Sequence, residues 1–154
     1  MYTAVLFGFL DSVNYLVEQG LDAHALDYSG TLLLHIACIM SKLDIAQQLI
    51  QLEKSLNSLK TVSTTYGTLL ATAALVNNTK MVELLLDAGA DVNEGSHPWL
   101  GPLLFVAIAH KHRDVVLLFL SWGAKQSNLS YRFKTAKEVA IQCSRLEILG
   151  LLED

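Results

Sequence analysis

Apolar residues recur along this chain in short paired bursts, never in one long run. Residues 79–93 read Thr-Lys-Met-Val-Glu-Leu-Leu-Leu-Asp-Ala-Gly-Ala-Asp-Val-Asn, and residues 113–124 read Arg-Asp-Val-Val-Leu-Leu-Phe-Leu-Ser-Trp-Gly-Ala. Apolar positions at i, i+3 and i+4 predict an amphipathic helix in each. The same phase recurs upstream in residues 11–19 and 43–50. Gly20, Gly89 and Gly123 fall where a left-handed cap stops such a helix. A second set of short apolar stretches starts at residues 32, 68, 102 and 135, at spacings of 36, 34 and 33. Ala37, Ala73, Ala107 and Ala140 share one position within that set, where a small side chain lets helices approach closely. Gly30, Gly67 and Gly101 fall in the turn before each stretch.

The pattern predicts a repeated helix pair. One pair is too thin to bury its own apolar face, and stacking neighbours builds a continuous core. We read about five units, at approximately 1–26, 27–62, 63–96, 97–129 and 130–154, in one all-α domain with hairpin-like loops between units. In this frame the chain opens inside the first helix of one unit and closes inside the second helix of the fifth. The first unit is greasy, with Val5, Leu6, Phe7, Phe9 and Leu10, which suggests a segment of a longer protein or a start that packs on something else. The 36-residue spacing places three extra residues between Glu53 and Val62, so the second unit should have an irregular helix end and a longer loop. Pro98 and Pro102 flank one loop.

The period and its motifs resemble ankyrin repeats, whose unit is about 33 residues and opens with Thr-Pro-Leu-His-x-Ala. Residues 32–37 read Leu-Leu-Leu-His-Ile-Ala, residues 68–73 Thr-Leu-Leu-Ala-Thr-Ala, and residues 102–107 Pro-Leu-Leu-Phe-Val-Ala. No unit keeps the motif whole. Residues 84–93, Leu-Leu-Leu-Asp-Ala-Gly-Ala-Asp-Val-Asn, resemble the family's helix end and loop almost letter for letter. The resemblance implies an ankyrin solenoid, a structural role for His35, and binding of other proteins through hairpin tips and the exposed side of the first helices.

Composition narrows the function classes. The 154 residues are 52% hydrophobic and 17% charged, with a formal net charge of −4. That excludes a polar disordered chain and opposes a phosphate-backbone binder, although Lys125, Arg132, Lys134 and Lys137 gather near the C-terminus. No apolar run reaches the length of a membrane span. Cys38 and Cys143 make no disulfide framework and fit a reducing compartment. An intracellular, cytoplasmic place follows, or the host cytosol for a secreted microbial effector. No nucleotide-binding, nucleophile-elbow or paired-cysteine motif is present. His110-Lys111-His112-Arg113 reads as a basic turn between helices, without the further ligands a metal needs. We therefore expect no catalysis, no cofactor, no metal and no small-molecule ligand.

Mapped onto the repeat, the hairpin tips carry Tyr28, Trp99, Tyr131 and Arg132, and the exposed first-helix positions carry Ile39, Met40, Leu75, Val76 and His110. Large apolar residues at such positions mark an interface. Trp99 is the first expected anchor, while Trp122 should cover a helix end. The expected partner is another protein or a segment of the same longer protein. The alternative is a regulatory or targeting segment of a multidomain enzyme, toxin or effector.

Overall fold

A computed structural model describes residues 1–23, 25–26, 30–52, 59, 61–93, 96–97, 101–127 and 135–152. Within them the chain forms helices α1 Tyr2–Phe7, α2 Leu10–Glu18, α3 Leu33–Ile39, α4 Leu43–Leu52, α5 Leu69–Leu75, α6 Thr79–Asp87, α7 Leu103–Ala109, α8 Arg113–Ser121, α9 Ala136–Gln142 and α10 Leu146–Leu149. Strands β1 Val62–Ser63 and β2 Gly67–Thr68 pair antiparallel, as do β3 Ser96–His97 and β4 Gly101–Pro102. Ser127 and Thr135 form an isolated antiparallel bridge in front of α9.

Each odd-numbered helix packs on the even-numbered one that follows it. The first helices stack in the order α1, α3, α5, α7, α9, and the second helices stack in the order α2, α4, α6, α8. The alanine position explains how closely they approach. Ala37, Ala73, Ala107 and Ala140 are fully buried, and Ala4 at the same phase is nearly so. The second helices face the same core with Leu49, Leu85 and Phe119 at one phase and Ile45, Met81, Val115 and Ile148 at another. The two sets of apolar positions read from the sequence are thus the two walls of one continuous core.

The helix ends follow from backbone chemistry. The last carbonyls of a helix have no intrahelical donor. At each first-helix end the chain turns left-handed at one residue, Gly8, Ser41, Asn77, Lys111 or Ser144, so that the next two amides fold back. Ser41 N–H donates to Cys38 O and Lys42 N–H to Ala37 O. The same pair of bonds recurs at Asn77–Asn78, Lys111–His112 and Ser144–Arg145. Only in the first pair is that residue glycine. A Cβ on Gly8 would lie 2.9 Å from Lys42 Nζ, so the lysine stem roofs the turn there. Gly20, Gly89 and Gly123 close the second helices in the left-handed form expected from the sequence. Three helix starts are capped by side chains of the preferred types. Thr68 Oγ1 accepts from Ala71 N–H at 3.2 Å, Asn78 Oδ1 from Met81 N–H at 3.0 Å, and Thr135 Oγ1 from Glu138 N–H at 3.1 Å.

The greasy first unit resolves into three environments. Val5 is buried, Leu6 and Leu10 are half-buried, and Phe7 and Phe9 stand in solvent. Two of its outward stacking positions are polar. The phase that carries buried Ile45, Met81, Val115 and Ile148 carries exposed Ser12, and the phase of buried Ile36, Thr72, Val106 and Val139 carries exposed Thr3. At the other end, Lys137 and Glu138 take the phases held by Leu34, Leu70 and Leu104 and by His35, Ala71 and Phe105. The outward positions are mixed in character, for Tyr2 is exposed at the phase of buried His35 and Phe105, and Ile141 at the phase of buried Cys38, Ala74 and Ile108. In the second unit α4 runs to Leu52, ten residues against nine for α2, α6 and α8. The rest of the expected irregular loop lies outside the described residues.

Candidate functional site

The polar bonds between successive pairs fall along two edges. At the hairpin edge, Thr31 and Ser63 hydroxyls bond at 3.0 Å, both buried. Ser63 Oγ also accepts from the amides of Thr65 and Tyr66, which fixes the β1–β2 turn. His35, fully buried, joins two units. Leu32 N–H donates to its Nδ1 at 3.1 Å, so Nε2 carries the proton and donates to Gly67 O at 3.2 Å. Both ring nitrogens are used, which is the structural role expected from the sequence, and neither is left for proton transfer. Gly30 sits left-handed against the same hairpin, where an added Cβ would lie 3.2 Å from Val62 O. Farther along, Asn93 bridges in the same manner. Its Nδ2 donates to Gly123 O at 3.1 Å and its Oδ1 accepts from Lys125 N–H at 2.8 Å.

The opposite edge is formed by the turns between paired helices. Here the residue just after the left-handed turn reaches back to the preceding unit. His112 Nε2 lies 3.1 Å from Leu75 O, and Arg145 donates through Nε and Nη2 to Ala109 O at 3.2 and 2.9 Å. Both acceptors are helix-terminal carbonyls, which welcome a cation. Lys42 over Gly8 occupies the same phase. The sequence reading missed these staples, and the signal that could have found them is a basic residue recurring at 42, 112 and 145.

One residue before each turn, the side chains point to solvent. Phe7 is 61% exposed, Met40 40% and Val76 38%, at one phase of successive first helices. Phe9 stacks on Phe7 with ring centroids 6.1 Å apart. His110 continues the series, exposed and stacked on His112 at 5.7 Å. Its pKa is lowered from the ordinary histidine value, first by partial burial, then by His112 and by Arg145.

The expected site is therefore divided. Met40, Val76 and His110 are exposed, but Ile39 and Leu75 are half-buried, and Ile39 packs against the core. Neighbouring helix residues differ by about 100° in direction, so one of each expected pair turns inward. Met40 and Val76 follow the C-terminal ends of α3 and α5. They stand a helix length, about 10 Å, from the hairpin ends of those helices. Tyr28, Trp99, Tyr131 and Arg132, and with them the hairpin-tip half of the expected site, lie outside the described residues. So do Arg132 and Lys134 of the basic cluster. Trp122 follows the end of α8 and is half exposed. Beside α1 an open apolar depression of about 190 Å³ is lined by Tyr2, Ala25, Leu26, Thr31, Leu32, Leu33 and Ile36.

Burial pushes the Cys38 thiol up to about 12, so it stays protonated at neutral pH. Cys143 is partly exposed, and both cysteines are free. Among the described residues, no three His, Cys, Asp or Glu side chains converge as a metal site would need. No helix among them is long and apolar enough to cross a membrane.

No curated protein matches the sequence. The family model for ankyrin repeats matches residues 1–96 in three copies. That is more than half of the chain, and the helix pairs, hairpins and His35 bridge agree with it: the protein belongs to the ankyrin repeat family.

Proposed function

We propose that this protein is a non-catalytic interaction module that captures another protein along its first-helix face. Ankyrin repeats are generally protein–protein interaction modules. The observation that carries the reading is the exposed apolar series Phe7, Met40 and Val76 at one phase of three successive units. The backbone turn itself does not require an apolar residue there. Their phase is polar in the fourth unit, where His110 holds it with the same backbone geometry. Contiguous exposed apolar residues on a folded domain mark partner surfaces, and Met and Phe are enriched at interface centres. From the repeat frame alone, Tyr28, Trp99, Tyr131 and Arg132 are proposed as further contacts of the same partner. The partner is a protein, and no cofactor, nucleic acid or small molecule enters the reading. The two free cysteines support a place in a reducing, intracellular compartment.

The test is affinity capture from lysate with the wild type, with Met40→Glu/Val76→Glu and with Ile141→Glu. Ile141 is a control on another surface, 61% exposed on α9. Proteins held by the wild type and by Ile141→Glu but lost with the double variant support the reading. Equal recovery by all three contradicts it.

A further inference from the structure

The edge formed by the inter-helix turns changes character along the stack. The first turn reads Phe7-Gly8-Phe9-Leu10 and the second Met40-Ser41-Lys42-Leu43. The third reads Val76-Asn77-Asn78-Thr79, and the fourth His110-Lys111-His112-Arg113. Arg145 of the fifth turn lies against the fourth through its bonds to Ala109 O. One edge thus runs from an aromatic and aliphatic end, which carries the single cation Lys42, to a basic end, on a chain whose net charge is −4. Two local carboxylates offset part, but not all, of the charge of Lys111, Arg113 and Arg145. Glu147 pairs with Lys111 at 2.8 Å, but both are more than half exposed, so the pair is screened and exchangeable. Asp114 is exposed in the first turn of α8, where a helix N-terminus favours an acidic residue.

We propose that the partner engages this edge through an extended segment with apolar side chains at one end and carboxylates at the other, the acidic end lying against His110, Lys111, Arg113 and Arg145. The proposal rests on the interaction reading above and specifies its ligand. Packed helices lie roughly 8–10 Å apart, so the first four turns span about 30 Å. A segment in the extended polyproline II form covers that length in about ten residues, at ~3.1 Å each, and its three residues per turn set every third side chain on one face. Apolar side chains at every third position would therefore meet Phe7, Met40 and Val76 in turn, and carboxylates would follow where the turn becomes cationic. Direct contact with charge of the opposite sign sets the direction of the segment, whereas the apolar residues alone would accept either direction.

Fluorescence anisotropy with labelled synthetic twelve-residue peptides tests this. One peptide carries leucine or phenylalanine at every third position and ends in four glutamates. A second places lysine for each glutamate, and both are made in forward and reversed order. In 50 mM salt the acidic peptide, in one of its two orders, should bind the wild type. It should bind Lys111→Glu/Arg113→Glu about ten-fold more weakly, and 0.5 M salt should have a similar effect. The lysine peptide should show the opposite preference. Circular dichroism checks that the variant is folded. Binding blind to peptide charge, yet lost in Met40→Glu/Val76→Glu, overturns the acidic ligand and leaves the interaction reading standing. Binding unaffected by Met40→Glu/Val76→Glu overturns both. No binding of either peptide order to the wild type at millimolar concentration overturns the acidic ligand, as does tighter binding of a single-stranded oligonucleotide than of the acidic peptide.

Discussion

At the hairpin edge, Thr31, His35 and Ser63 are buried and bonded to one another's units. At the turn edge, Phe7 stands largely in water, and Met40 and Val76 expose about two fifths of their surface. Both series follow the same repeat spacing, and both use side chains that are uncommon for their surroundings, polar in the core in one case and apolar at the surface in the other. The difference lies in what each side chain does for the backbone. His35 satisfies an amide and a carbonyl that would otherwise be buried without partners, so fold stability depends on its identity. Met40 follows a helix whose last carbonyls are already bonded by Ser41 and Lys42 amides, so the fold asks nothing of its side chain. A periodic position that the fold does not need is free to carry function.

The comparison can be broken at several points. Leu85 is fully buried on α6, and Leu85→Ala should lower stability most, by about 2–5 kcal/mol, read by urea or thermal unfolding. His35→Ala should follow, at about 1–3 kcal/mol, because it leaves Leu32 N–H and Gly67 O unpaired in the interior. A loss there as small as that from a surface substitution would erase the distinction between the two edges.

A smaller effect belongs to the turn edge itself. The fold holds the pKa of His110 below its ordinary value, so the unfolded chain takes up a proton where the folded chain does not. The contribution of His110 is therefore complete above the unfolded-state value of 6.5 and is lost progressively as pH falls below it. Thermal melts between pH 7.5 and 5 should show a shallower decline for His110→Asn than for the wild type. Equal slopes would mean that His110 feels neither the burial nor its cationic neighbours His112 and Arg145.

The architecture was legible because period and phase are properties of sequence. Apolar bursts at fixed spacing, alanine at one phase and glycine after three of the second helices are sufficient for a stack of helix pairs. The site was legible only in part. A stripe of apolar residues cannot tell Ile39 from Met40, since both are large and apolar and adjacent. Only the rotation of α3 decides that the first packs on the core and the second faces water. The staples from His112 and Arg145 were hidden for a related reason. Their partners are backbone carbonyls about one repeat away, and a carbonyl leaves no mark in the sequence. The division of the greasy first unit into buried Val5, half-buried Leu6 and Leu10, and exposed Phe7 and Phe9 was hidden, because an apolar residue carries no mark of which way its helix turns it.

The central claim is that the exposed turn-edge series serves binding and not folding. Its most direct test pairs two readings on Met40→Glu/Val76→Glu, the melting temperature and the affinity for the partner captured by the wild type. The account predicts a melting temperature within about 2 °C of wild type and loss of partner binding. A variant that melts well below the wild type, or one that still binds with wild-type affinity, would contradict it.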